Sequence, residues 1–438
     1  MIKVVNPDAA GMDIGAEELY VCIPRERDEK PLRCWGTYTA DVHELAKWLV
    51  MHKIKTVAME STGVYWIPVY VILSGYGIEV CLVNARHIKN VPGRKSDVRD
   101  CEWLMDLHML GLLRASFIPE EGIAKLRSYL RHREAMIEHR AMHIQHMQKA
   151  MTQMNVRLTE VITDVTGVTG MGIMRAIGAG QTKAEELLKY RHTRCKASPE
   201  EFVKALTASY QEEHVFTLRQ SLALYDAYTQ QIEDCDKQIE AHLAKQTPPD
   251  QADDLTPLEP SRKSNTHSKN EPTYDARTAL YRLTGVDLTD IDAIHTSTAQ
   301  TIISEIGTDM SKWPTAGHFA SWLGLAPKND ITGGKIRKSR TLPGNRRASQ
   351  AFKMGAQALL KSNSALGAQA RALRARLGPG QAVAIMAHKL ARIVYSMLKN
   401  KTSFAAASAA DYDKANDERF RKSLERRAAK LGLKLVPS

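Results

Sequence analysis

Residues 95–104 read KSDVRDCEWL and put Asp97 and Asp100 three positions apart. On a helix the two would share one face a turn apart, where like charges repel unless a cation joins them. Two further acids stand where a metal site would want them. Asp13 closes the β-rich run AAGMDI just before Gly15, and Glu60 ends KTVAMES at the step from strand to helix. Gathering four carboxylates calls for divalent ions, and hard oxygen donors select Mg²⁺ or Mn²⁺. Two such ions suit a phosphodiester, because they stabilise charge on both the attacking and the leaving oxygen. A plainer role fits the same residues: Asp97 caps its helix and complements the dipole, and Asp13 and Glu60 are unrelated to it.

The elements that must position these acids are legible upstream. AAGMDI, LYVCIP and LRCWGTYT alternate like three successive strands, with turns at Gly15 and around residues 27–31. DVHELAKWLVMHK follows as an amphipathic helix that Asp41 can cap. KTVAMES is a strand, YWIPVYVILSGYG a helix, IEVCLVN another strand, and the helix with Asp97 and Asp100 comes last. This predicts an α/β layer over residues 1–118.

Long helix follows. Leu130, Ile137, Ile144 and Met151 recur every seven residues, with Leu126, Met147 and Met154 on a companion row that Arg133 and Arg140 interrupt. Leu218, Tyr225, Ile232 and Ile239 repeat the pattern, with Leu222 and Leu243 alongside. Residues 119–246 therefore read as an antiparallel hairpin, an intermolecular coiled coil or two helices of one bundle. Residues 247–274, rich in Pro, Ser, Asn and charge, read as a flexible linker. A mainly helical domain is expected over 275–402 and a basic helical tail over 403–438. The fold class is α/β plus all-α.

The chain has 438 residues and a net charge of +12, which points to a polyanion, nucleic acid before membrane. Its six cysteines form no CxxC pair and read as reduced thiols of a cytosolic protein. The N-terminus lacks a signal-peptide stretch. The apolar run 64–83 is cut by Pro68, Gly75, Gly77 and Glu79, so it reads as buried core. His132, His139, His143 and His146 lack HExxH and read as a polar helix face. TGVTGMG, 166–172, lacks the ending of a nucleotide-binding loop and reads as a helix-linking turn, so no ATP requirement is expected.

AGMDIGAEELYVCIP, VAMESTGVYW, LVNARHIKNVPGRKSDVRDCEWLMDLHMLGLL and SEIGTDMSKWPTAGHFASWLGLAPKNDITGGK together resemble the DEDD-type insertion-sequence transposases of the insertion sequence 110 family. The likeness covers most of the chain. It implies a first domain like the Holliday-junction resolvase RuvC, of the RNase H superfamily, with Asp13, Glu60, Asp97 and Asp100 as catalytic Mg²⁺ ligands. It also implies a C-terminal serine that attacks DNA and holds it covalently, a structured bridge RNA that pairs with donor and target DNA, and a homo-oligomer, a dimer assembling to a tetramer. The setting would be bacterial or archaeal cytosol, in association with the nucleoid.

One position departs from that pattern. The serine motif usually reads Ser-Gly-Gly, whereas this chain has Thr332-Gly333-Gly334, with Ser339 as a fallback. A threonine hydroxyl is a competent nucleophile, though its methyl stiffens χ1 and crowds an in-line approach. As a plain alternative, the triplet is a turn. Lys335, Arg337, Lys338, Arg340, Arg346 and Arg347 follow with no acid among them and would neutralise phosphates. Residues 288–307 resemble a helix-hairpin-helix grip without its Gly-x-Gly turn. Two rival functions remain: a RuvC-like, structure-specific nuclease that uses water, and a nucleic-acid-binding relative with an impaired centre.

Overall fold

The computed structural model describes residues 4–61, 63–84, 97–246, 257, 258, 260, 269–341, 344–405 and 409–433. The chain divides into two units, Met1–Ile118 and Pro119–Ser438.

In the first unit, β1 (Ala9–Ile14), β2 (Glu18–Cys22) and β3 (Leu32–Gly36) precede α1 (Thr39–Met51). Then come β4 (Thr56–Glu60), α2 (Trp66–Gly75), β5 (Glu79–Val83) and α3 (Asp97–Met109). The sheet order is β3-β2-β1-β4-β5. The first three strands pair antiparallel, while β1–β4 and β4–β5 pair parallel. This mixed sheet is compatible with an RNase H-like domain. Asp41 does not start its helix. It stands at the third helical position and accepts the Tyr38 N–H at 3.2 Å, tying down the N-terminus from inside.

Side chains alternate across the sheet, so each face has its own cover. Ala10, Met12, Val57 and Met59 point into a core with Leu45, Leu49 and Leu73. On the opposite face Gly11 receives α3 against its backbone. A Cβ there would come within 2.0 Å of the Cys101 carbonyl oxygen and 2.5 Å of the Met105 nitrogen. Only glycine admits a helix that close.

The second unit is built on α4 (Glu121–Gln153) and α9 (Glu212–Gln246). Short helices α5 (Leu158–Val161), α6 (Val168–Gly178), α7 (Ala184–Leu187) and α8 (Pro199–Leu206) lie between them in sequence. They pack around Met147, Ile173 and Phe202. The long helices run antiparallel within one chain: His242 Nε2 meets the Gly122 carbonyl at 2.8 Å, and Arg133 meets Asp236 further along. The row interrupted by Arg133 and Arg140 is the buried one. Its partner row, Leu222–Thr229–Asp236–Leu243, is interrupted at the matching heights. Arg133 donates to Asp236, whose side chain is fully buried, and Arg140 Nη1 approaches Thr229 Oγ1 at 3.4 Å.

Residues at the end of the expected linker close this polar layer. The Asn270 carbonyl oxygen accepts from Arg133, the Asn270 side chain accepts from Arg140 at 2.8 Å, and the Thr273 N–H donates to Asp236. Most of the remaining linker lies outside the described residues. Asp236→Ala leaves a guanidinium buried without its carboxylate and is expected to cost about 3–5 kcal/mol in a denaturant titration. Adding Arg133→Leu is expected to recover most of that loss.

Beyond the linker come α10 (Ala276–Thr284), α11 (Thr296–Ile306) and α12 (Ala316–Trp322), then β6 (Pro327–Thr332) and β7 (Lys335–Thr341). Helices α13 (Arg346–Ala358), α14 (Ala365–Leu377), α15 (Pro379–Asn400) and α16 (Ala409–Lys430) complete the chain. Among the described residues no helix is long and apolar enough to cross a membrane.

Candidate active site

The two ends of α3 decide where its aspartates lie. At its C-terminus, the Met109 carbonyl oxygen accepts from Val5 at 2.8 Å, and the His108 carbonyl oxygen accepts from Asn6 Nδ2 at 2.7 Å. The His108 ring also meets Thr56 Oγ1 at 2.8 Å. These partners sit at the entry to β1 and at the start of β4. The middle of α3 crosses Gly11, so its N-terminus points toward the C-terminal ends of β1 and β4. Thirteen helical residues span about 20 Å and a six-residue strand about 20 Å, so the helix covers the strand from end to end.

Asp13 and Glu60 are at those strand ends. Met12 and Met59 form the last paired rung between β1 and β4, and Asp13 and Glu60 are the next residue on each strand. Both follow by two the residues facing α3, Gly11 and Ala58, and so share that face. Each is half-buried. Asp100 is in the first turn of α3, half-buried, beside Cys101, which is fully buried against Gly11. The backbone of Asp97 opens the helix, and its side chain lies outside the described residues. The positive end of the helix dipole favours negative charge there. Among the described residues, no three His, Cys, Asp or Glu side chains gather closely enough to hold a metal ion.

The second unit contains the hydroxyl and the cations. The turn that the triplet offered as its plain alternative is present, as the tip of a two-stranded hairpin. Gly333 and Gly334 form its turn with φ of 58° and 75°, the double left-handed geometry that a two-residue hairpin needs. Thr332 and Lys335 flank the turn as a directly opposed pair, which sets their Cβ atoms about 5 Å apart on one face of the ribbon. The bulge between the rungs Asp330–Lys338 and Ile331–Ile336 inserts Arg337. Every residue of β6 is exposed, as are Lys335, Arg337, Ser339 and Arg340 on β7. The Lys338 side chain lies outside the described residues. Arg346 and Arg347 open α13.

The exposed arm has a firm root. Gly344 runs against Leu323 and Gly324, where a Cβ would come within 2.4 Å of backbone atoms. Asn345 caps α13 by accepting the Ala348 N–H at 3.1 Å, and its Nδ2 donates to Glu305. Glu305 is buried and takes both arms of the Arg131 guanidinium fork from α4. Arg127 donates to the Ser304 and Glu305 carbonyl oxygens. Burial pulls the Arg127 guanidinium below its usual range, opposed by the Glu305 carboxylate. None of these supports was singled out in the sequence, because the partners are too far apart along it.

Between Asp330 and Asp411 the chain carries fifteen Lys and Arg and no Asp or Glu. This exceeds the net charge of the whole protein, +12. The other sequence motifs carry less. On the polar helix face His132 and His146 are exposed, while His139 and His143 are half-buried against Tyr228, with ring centroids 5.4 Å away in each case. TGVTGMG turns into α6. Residues 288–307 hold a 3-10 turn and α11.

Two family models match the chain, one on each of these parts. A transposase model, that of the DEDD transposases of IS110 type, matches residues 10–156 and so spans Asp13, Glu60, Asp97 and Asp100. The model of the transposase IS116/IS110/IS902 family matches residues 287–371, which include Thr332 and the basic stretch. The chain matches none of the curated proteins. The protein is a DNA transposase, an enzyme that cuts and rejoins DNA. Because the two matches together cover more than half of the sequence, it belongs to the IS110 family.

Proposed function

We propose that this transposase works by transesterification, with Asp13, Glu60, Asp97 and Asp100 as the metal-holding set and Thr332 as the nucleophile. The observation that carries the reading is the shared strand end: Asp13 and Glu60 on adjacent strands, with the first turn of α3 pointing to the same place. The donors are all carboxylate oxygens, which fits Mg²⁺ or Mn²⁺ and no softer ion, and Asp97 completes the set. Bound there, Mg²⁺ would supply charge stabilisation at the attacking and leaving oxygens.

The chain's own groups do the rest. The Thr332 hydroxyl oxygen bonds to phosphorus and gives up its proton, and the P–O3′ bond breaks to leave a 3′-hydroxyl. The strand stays on the protein as a 5′-phosphoryl threonine, so the bond can be remade without an energy source. Lys335, opposite Thr332, balances charge on the non-bridging oxygens. A RuvC-like first domain over 1–118, a dimerisation region over 119–246, a transposase domain over 275–402 and a basic tail over 403–438 complete the reading. A guiding bridge RNA is a second use for the positive charge.

Incubation with the element's end DNA and RNA tests this. Mg²⁺ is expected to support strand exchange, and Ca²⁺ assembly without turnover, because its larger and looser shell positions a phosphate poorly. Equal turnover with Ca²⁺, or turnover in a chelator, contradicts the metal assignment. A second expectation concerns the arm. Replacing Lys335, Arg337 and Lys338 together with Ala should flatten the salt dependence of DNA binding by up to about 2.7 in log–log slope. An unchanged slope means that the arm does not contact phosphates.

A further inference from the structure

Beside the root of the arm, a trough of about 710 Å³ opens between the first turn of α11 and that of α13. Arg346, Arg347 and Lys353 line it on one side, Ser297 and Thr298 on the other, and Thr341 at the end of β7. Its volume is that of a site enclosing a small organic ligand, about 300–1,000 Å³. A few nucleotides of one strand fit such a space.

The lining has the chemistry of a phosphodiester site. Neither Arg346 nor Lys353 has a carboxylate partner among the described residues. Ser349 also lines the trough, at 7% exposure. Asn345 takes the Ala348 N–H, leaving the N–H groups of Arg346 and Arg347 at the helix N-terminus for an anion. Met354, 58% exposed, adds a polarisable apolar edge against which a base can lie. One acid, Glu134 of α4, reaches the trough, and it is paired with Arg347.

We propose that this trough holds one single-stranded phosphodiester segment and that Glu134 occupies Arg347 as a phosphate surrogate until the strand arrives. The inference rests on the reading of the protein as a nucleic-acid transesterase and adds a second contact point for the strand being transferred. Because Thr341 borders the trough and Thr332 lies at the far end of the same hairpin, a strand leaving the trough runs along β7 toward the nucleophile. The distance along β7 is about 20 Å.

The test is a fluorescence-anisotropy titration of the full chain with labelled oligodeoxythymidylate, labelled oligouridylate and a labelled duplex, across salt concentrations. Glu134→Gln frees Arg347 and is expected to tighten single-strand binding about two- to fivefold. The log–log salt slope should steepen by about 0.7, one released counterion on a single strand. Arg346→Ala with Lys353→Ala should flatten that slope by about 1.4. A larger effect on the thymidylate or on the uridylate strand identifies DNA or RNA as the occupant. If Glu134→Gln and the double variant both bind single strands as the unaltered protein does, the trough proposal fails, while duplex binding still supports the broader reading. If the unaltered protein binds none of the three probes, the broader reading fails with it.

Discussion

Asp100→Ala is expected to lower strand exchange by at least about a hundredfold, the order seen when one preorganised electrostatic group is removed from an active site. Asp97→Ala should do the same, and the double variant should be inactive. Folding should be largely unaffected. Asp100 is half-buried, whereas the contacts that hold α3 to the sheet come from Cys101, Leu104 and Met105, all buried. Thermal unfolding and nucleic-acid binding should therefore match the unaltered protein. Glu102→Ala is the control. Glu102 lies on the same helix, is also half-buried, and makes only a loose 3.9 Å pair with the exposed Arg25. Activity should survive its loss, since an exposed pair of this kind contributes little. Strong recombination by the double Asp97 and Asp100 variant contradicts the metal assignment.

The second large effect concerns residue 332 and the origin of the two halves of the site. The acids belong to the first unit and Thr332 to the second, and residues 247–274 intervene between the long helices and the arm. A nucleophile must come within about 3–3.5 Å of phosphorus, at a phosphate that the acid set would position with the ions it would hold. In the proposed reading, assembly supplies this proximity, with the acids of one protomer meeting Thr332 of another. An Asp97→Ala chain and a Thr332→Ala chain, each inactive alone, are then expected to recover activity when mixed. The ceiling is the fraction of sites that combine an intact acid set with an intact hydroxyl. Absence of rescue in confirmed mixed oligomers shows a site built within one chain. Thr332→Ser should raise the rate, because it removes the methyl that restricts χ1 and crowds the approach to phosphorus.

How much of this was visible beforehand depended on the range of the signal. The strands of the first unit carry a period-two pattern and β-branched residues, and all five form, the third ending at Gly36 where the reading ran on to Thr39. Asp13 and Glu60 were visible because an acid ending a strand beside Gly15 or Ser61 breaks a local pattern. In the long helices the apolar rows were legible, and so was their interruption by Arg133 and Arg140. The matching interruption by Thr229 and Asp236 in the second helix, read at antiparallel register, could have identified the pairing inside one chain. The hairpin was missed for a different reason. Its strands are exposed on both faces, so they lack alternation, and only Gly333-Gly334 marks the turn. Glu305 was illegible because its partner Arg131 is 174 residues away and nothing local in SEIG announces a buried carboxylate.

The chemical identity of the group joined to the cut strand separates transesterification from hydrolysis most directly. The measurement is denaturing electrophoresis of 5′-phosphoryl-side labelled end DNA after reaction with the full chain, its RNA and Mg²⁺, followed by peptide mapping of any labelled protein. The expected result is a labelled protein band that survives denaturation, maps to the peptide containing Thr332, persists in Thr332→Ser and is absent in Thr332→Ala. Cleavage at full rate by Thr332→Ala, with no label on protein in any variant, contradicts the account and leaves a metal-dependent nuclease that uses water.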